Sequence, residues 1–179
     1  MMRKVIIIGC PGSGKSTFAR GLSEKTGLPI HHLDNIWFRP DGEHITRDEF
    51  DGKLGEILAE DEWIIDGNYQ RTLGRRLDEA DTVILMDIPI DECMKGIRER
   101  IGIKRKDFPC IKYDLDEEFA TRVWSFGENE LPRIYNLLKT QVDKKVVIFH
   151  KREDADRFLS KCKSIDDADE LIALCYQRE

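Results

Sequence analysis

The chain is 179 residues long, 40% hydrophobic and 36% charged, which suits one globular domain spanning residues 1–179 with a sizeable core. Its formal net charge of -6 provides no overall cationic surface for a polyanion, so nucleic acid is disfavoured as a partner unless a local patch does the work. The first apolar run stops at Ile8, ahead of Gly and Pro, and is too short for a signal-peptide core or a membrane span.

Val5–Ile8 is the first candidate strand, and it runs straight into "GCPGSGKST", residues 9 to 17. Gly9, Gly14, Lys15 and Ser16 fill every fixed position of G-x-x-x-x-G-K-[ST], with a strand before and helix-compatible sequence after. In such a loop glycines let the backbone turn its N–H groups inward as an anion nest, and the following helix start adds positive dipole. Lys15 would reach the outer phosphates and Ser16 would hold Mg²⁺. Gly9, Gly12, Ser13, Gly14, Lys15, Ser16 and Thr17 are therefore the candidate nucleotide-binding residues, with ATP and Mg²⁺ as cofactors. Cys10, inside the loop, is either a redox-sensitive thiol whose pKa the helix start lowers or a space-filling side chain.

The second candidate strand, Ile30–Leu33, contains His31 and His32, which as neighbours point to opposite faces; a lone strand histidine is more often packed than catalytic. Asp34 ends this strand. It either accepts the proton of an attacking hydroxyl or holds a Mg²⁺ water, or it caps a helix. Trp37 and Phe38 follow, positioned to stack on a planar acceptor, to wall off water or to pack in the core. "TRDEF" at Thr46–Phe50 has the form of a capping box, and Phe50, Leu54, Ile57 and Leu58 follow at helical spacing, interrupted by Gly52 and Gly55.

Trp63–Ile65 is the third strand. It leads into Asp66, the second acidic group that a P-loop needs to orient hydrated Mg²⁺, although Asp-Gly is also a common turn pair. Ser16 and Asp66 are the metal candidates, and Arg71, just beyond, would face the same cleft. After the strand Val83–Met86, Arg98 and Arg100 precede "IGIKRKDFPCIKY", Ile101–Tyr113, which has no clear period and reads as a mobile excursion bearing Lys104, Arg105 and Lys106. These cations either neutralise charge in a phosphoryl transfer or form a solvated basic face. Val146–Phe149 is the last strand. Five short apolar runs alternating with helix-compatible segments imply an α/β fold, a parallel sheet with helices on both faces. The five cysteines, Cys10, Cys93, Cys110, Cys162 and Cys175, lack CxxC or Cys/His ligand spacing, as expected of reduced thiols in a cytoplasmic protein.

With these motifs in place, the chain resembles the P-loop small-molecule kinases. "IIDGNYQRT" is similar to the adenylate-kinase segment with an Asp-Gly start and a following Arg-Thr, and "ADTVILMDIPIDE" to the strand and Asp-x-Pro turn leading into the lid helix of those enzymes. With "HHLDNIWF" added, the resemblance is to the adenylate-kinase-like bacterial family called DNA topology modulation proteins. It covers most of residues 3 to 160. It implies a three-layer P-loop fold with a five-stranded sheet, an acceptor-binding insertion near Asn35–Glu60 and an arginine-bearing lid near Ile101–Tyr113. Arg122 and Arg133 are similar to the paired lid-exit arginines of adenylate kinases, but Gly127 and Pro132 lie between them and oppose one continuous helix. The resemblance also implies a loop at His150–Glu153, where related kinases cradle the base with backbone groups, although the residue types there are not diagnostic.

The functional expectation is transfer of the γ-phosphate of ATP to a small-molecule acceptor, with Lys15, Asp34, Asp66, Arg71 and Arg100 as the catalytic residues. The alternative is a regulatory or DNA-topology-linked ATPase without such an acceptor, against which stand the acidic balance and the lack of a DNA-binding motif.

Overall fold

The computed structural model describes residues 2–176. Each apolar run becomes a strand: β1 (Lys4–Gly9), β2 (Ile30–His32), β3 (Trp63–Asp66), β4 (Thr82–Met86) and β5 (Lys145–Phe149). They form one sheet in the order β2-β3-β1-β4-β5, and every neighbouring pair is parallel. Parallel strands are covered on both faces, which explains why the runs of the central strands β1, β3 and β4 are apolar instead of alternating; the edge strand β2, Ile-His-His, is the exception. Val5, Ile6, Ile7 and Ile8 are all 0% exposed.

The order puts β1 at the centre, so the loop leaving it emerges between the ends of β3 and β4. Helix α1 (Lys15–Thr26) follows that loop and packs Phe18, Ala19 and Leu22 inward. Phe18 meets Phe149 and Phe158 at ring separations of 5.5 and 5.9 Å, joining α1 to β5 and to α9 (Arg152–Lys161).

The second strand is one residue shorter than expected. Leu33 opens a short helix, α2 (Leu33–Trp37), which turns Asp34 away from the strand axis. Next comes α3 (Arg47–Leu58), begun by the expected capping box: Thr46 accepts from the Glu49 N–H, and the Glu49 side chain accepts from the Thr46 N–H. Its Phe50, Leu54, Ile57 and Leu58 are buried, and that packing sustains the helix despite Gly52 and Gly55.

Beyond β3 lie α4 (Gln70–Glu79) and, after β4, α5 (Ile90–Arg98). Residues 101–113 contain turns and bends without helix or strand. The chain then forms three short helices, α6 (Glu117–Trp124), α7 (Phe126–Asn129) and α8 (Leu131–Leu138), with Pro132 in the first turn of α8. The break that Gly127 and Pro132 signalled is thus present, and Arg122 and Arg133 lie on different helices. The described chain ends with α10 (Ile165–Tyr176). Among the described residues no helix is long and apolar enough to cross a membrane.

Candidate active site

The floor of the site is backbone. Gly14 caps α1 at φ 99°, a left-handed conformation that side-chain-bearing residues avoid, and a Cβ placed there would meet nothing within 4 Å. Gly12 has a second reason to be glycine: a Cβ would lie 2.1 Å from the Cys93 carbonyl oxygen of α5. The same contact is tied by Arg152, whose Nη2 donates to the carbonyls of Gly12 and Glu92, each at 2.7 Å. On the other side the Gly9 N–H donates to Asn68 Oδ1 at 2.9 Å. The loop is therefore braced from α9 and from the β3–α4 turn. The Ser13 hydroxyl is buried within it without a hydrogen-bond partner.

Two carboxylates stand beside this loop, Asp66 at the end of β3 and Asp34, expected to end β2, in the first turn of α2. Asp66, 4% exposed, is paired in register with Ile7 of β1 and with His32 of β2. His32 Nδ1 lies 2.7 Å from its Oδ2, whereas its buried Oδ1 has no hydrogen-bond partner. Asp34, in the first turn of α2, accepts from the Tyr69 hydroxyl at 2.8 Å. Burial raises the Asp34 pKa above the usual carboxylate value; the positive charge of Lys15 and the Tyr69 hydrogen bond oppose the rise, and Asp66 adds to it. Lys15, Asp34 and Asp66 thus share one electrostatic neighbourhood.

Turn 67–69 holds these parts together. Tyr69 sits at φ 27°, ψ 66°, and it is the only non-glycine residue with positive φ among those described. Arg76, 0% exposed, secures the turn by donating to the carbonyls of Gly67 at 2.8 Å and of Tyr69 at 3.1 Å, and to that of Asn68. Burial pushes the Arg76 pKa down to about 9, opposed by Asp66. Burial, with Asp34 alongside, also raises the Tyr69 hydroxyl.

Arg71 points to the insertion. It grips Asp51 of α3 with both terminal nitrogens, at 2.8 and 2.6 Å, and that hydrogen bond raises its own pKa. Together with Trp37, Arg47, Phe50, Tyr69, Gln70 and Thr72 it lines a cavity of about 200 Å³. Trp37 is held there by stacking on His44 at 4.6 Å and by edge contacts to Phe50 and Tyr69. Phe38 instead packs on Phe108 of the 101–113 segment, at 5.0 Å.

Arg100 faces a second, polar cavity of about 330 Å³ between α1 and that segment, with Thr17, Arg20, Lys104, Arg105, Lys106 and Asp107. Burial and then the charge of Arg105 lower its pKa. Asp107 pairs with Arg20 at 3.0 Å, and Asn35 donates to the Lys106 carbonyl at 2.8 Å, so the segment is fastened to both α1 and α2. Arg98 is exposed.

Two expectations change. The Cys10 thiol is 2% exposed and its pKa is raised, chiefly through a hydrogen bond shared with Cys93 and by burial, so the helix start does not make it a ready thiolate. The loop after β5 is shorter than His150–Glu153, since α9 begins at Arg152. Sequence reasoning passed over Tyr69, Asn68, Arg76 and Arg152. Nothing in a single sequence distinguishes a buried arginine in "QRTLGRRL" from its solvated neighbours.

The residues present suit a nucleotide-bound divalent cation. What fits is the unpartnered Asp66 Oδ1, a buried oxygen in want of a positive partner at the end of the strand paired with β1, which leads into the P-loop. Among the described residues no cluster of three His, Cys, Asp or Glu side chains could hold a metal by itself.

Fold and loop together define a P-loop α/β architecture: an all-parallel five-stranded sheet whose central strand runs into G-x-x-x-x-G-K-S. A sugar kinase from Janibacter sp. HTCC2649 superposes with TM-score 0.52 at 17% identity, covering 96% of this chain and 98% of its own. A shikimate kinase from Acinetobacter baumannii, solved in complex with shikimate, gives TM-score 0.59 at 16% identity, covering 89% and 92%. In sequence, the adenylate kinase of Thermotoga neapolitana is 37% identical over 81 residues, which is 45% of this chain and 36% of the relative. The adenylate kinase of Thermotoga maritima matches to the same extent. The chain thus spans little more than a third of the length of these curated relatives, and no family model matches it.

Proposed function

We propose that the protein is a P-loop kinase that transfers the γ-phosphate of ATP to a small-molecule acceptor. The single observation that carries this reading is the pairing of a phosphate-binding loop with Asp34, a carboxylate bonded to Tyr69, which also walls the aromatic cavity. A module that only bound or hydrolysed nucleotide would have no use for that second compartment. The kinase folds of the solved neighbours and the partial adenylate-kinase match support it.

The division of labour follows from position. The N–H groups of Gly12 to Thr17 bind the phosphates, and Lys15 balances their charge. Ser16 and Asp66 would hold Mg²⁺, which when bound neutralises charge developing on the phosphoryl oxygens. Asp34 takes the proton of the acceptor hydroxyl; where the acceptor is itself a phosphate, it orients the acceptor. Arg71, Trp37 and Tyr69 position the acceptor, while Arg100 and Arg105 approach the transferred group from the lid and exclude water. The whole chain acts as one catalytic unit, and the topology modulation family remains our assignment for it.

The test follows ADP release from Mg²⁺-ATP with nucleosides, nucleotides, sugars and small hydroxy acids as acceptors, and with DNA in parallel. Stimulation by a member of the first group, with a labelled product, is the expected result. Stimulation by DNA alone overturns the reading in favour of a DNA-linked ATPase.

A further inference from the structure

The adjacent histidines have separate fates. His31 reaches outward to Glu60 at 3.0 Å, with both groups partly solvated. His32 turns inward, 9% exposed, to place Nδ1 2.7 Å from Asp66 Oδ2. The β2–β3 register sets His32 directly opposite Asp66, so strand pairing itself delivers the ring to the carboxylate.

A carboxylate has only acceptors, so the hydrogen in this contact is on Nδ1 and the ring donates. The final torsion of an aspartate is soft and nearly two-fold, and an unheld carboxylate would interchange its oxygens. Here one oxygen is engaged and the other is buried without any partner. A buried acceptor left bare is costly unless a ligand satisfies it.

We propose that His32 is a positioning residue for nucleotide-bound metal: its Nδ1–H pins Asp66 Oδ2 so that Oδ1 stays aimed at the Mg²⁺ of the bound nucleotide. This rests on the reading of Asp66 as a metal-holding residue. Asn places an amide N–H close to where Nδ1 stands, whereas Phe fills the volume without a donor. A histidine that merely packs would be replaced well by Phe and poorly by Asn.

The experiment measures Mn²⁺ uptake by electron paramagnetic resonance on the full chain with ADP, and ADP affinity without metal by calorimetry in EDTA. His32→Phe is expected to weaken Mn²⁺ binding to the ADP complex by about ten- to a hundredfold, the range for partners that orient metal ligands. Metal-free ADP affinity should stay within about twofold, which also shows that the variant is folded, and His32→Asn should bind Mn²⁺ nearly as the parent does. Wild-type Mn²⁺ affinity in His32→Phe overturns the proposal, as does equal weakening in His32→Asn and His32→Phe, or loss of metal-free ADP binding. Asp66→Asn is the separate control. If it takes up Mn²⁺ as the wild type does, the assignment of Asp66 to the metal fails, and the inference fails with it.

Discussion

The floor and the wall of the cleft are built on different principles. The floor, residues 9–17, is contiguous and made of backbone, and its glycines are demanded by φ and by the approach of α5. The wall gathers Asp34, Trp37, Phe50, Tyr69 and Arg71 from segments on either side of β3, and side-chain contacts hold it together. A backbone nest recognises what all triphosphates share, whereas a wall of side chains can be rebuilt to suit an acceptor without disturbing it. The floor is also cationic, while the wall presents a carboxylate whose ionisation burial opposes.

The contrast breaks most sharply at Asp34. Asp34→Asn should lower acceptor-dependent transfer by about 10²–10⁴-fold, the usual contribution of a general base, with ATP affinity and basal hydrolysis kept within a few-fold. An equal fall in both rates would move Asp34 to the metal site and merge floor with wall. Folding stability gives a second readout. A carboxyl whose folded pKa is raised costs stability as pH rises from its ordinary range through the raised value. Asp34→Asn should therefore melt no lower than wild type at neutral pH, and the difference should shrink in acid.

Lys15→Ala attacks the floor, so it should reduce turnover by about 10²–10³-fold whatever the acceptor, basal hydrolysis included. Retained wild-type ATP binding and turnover would remove residues 9–17 from the site.

Arg76→Leu tests the joint between the two regions. It strips a fully buried donor from three carbonyls and should cost about 3 kcal/mol or more by denaturant unfolding. Loss below about 0.5 kcal/mol would mean that turn 67–69 holds its strained shape unaided.

The smallest effect belongs to Tyr69→Phe, which keeps the ring and removes one hydrogen bond that favours ionised Asp34. Because the base must be ionised, activity is lost as pH falls through the Asp34 pKa. The acid limb of the pH–rate profile should move to higher pH, with a few-fold loss near neutrality. An unmoved limb would detach Tyr69 from Asp34.

The strands, the P-loop and the capped helix α3 were legible in the sequence because each depends on neighbours in the chain: an apolar run, a run of glycines with Lys-Ser, a Thr and a Glu three residues apart. Asp66 was legible as a strand-end carboxylate and metal candidate by the same local logic, whereas Asp34, expected to end β2, lies in the first turn of α2. The difference in their side-chain partners was not legible. It arises where β2 lies beside β3, so that His32 meets Asp66, and where a turn at φ 27° swings Tyr69 onto Asp34. The roles of Arg76 and Arg152 likewise came only from burial, since an arginine reads as a surface cation until the fold surrounds it with carbonyls. Local chemistry is encoded by spacing along the chain, but which oxygen of a carboxylate is occupied depends on residues tens of positions away, and only tertiary packing brings those together.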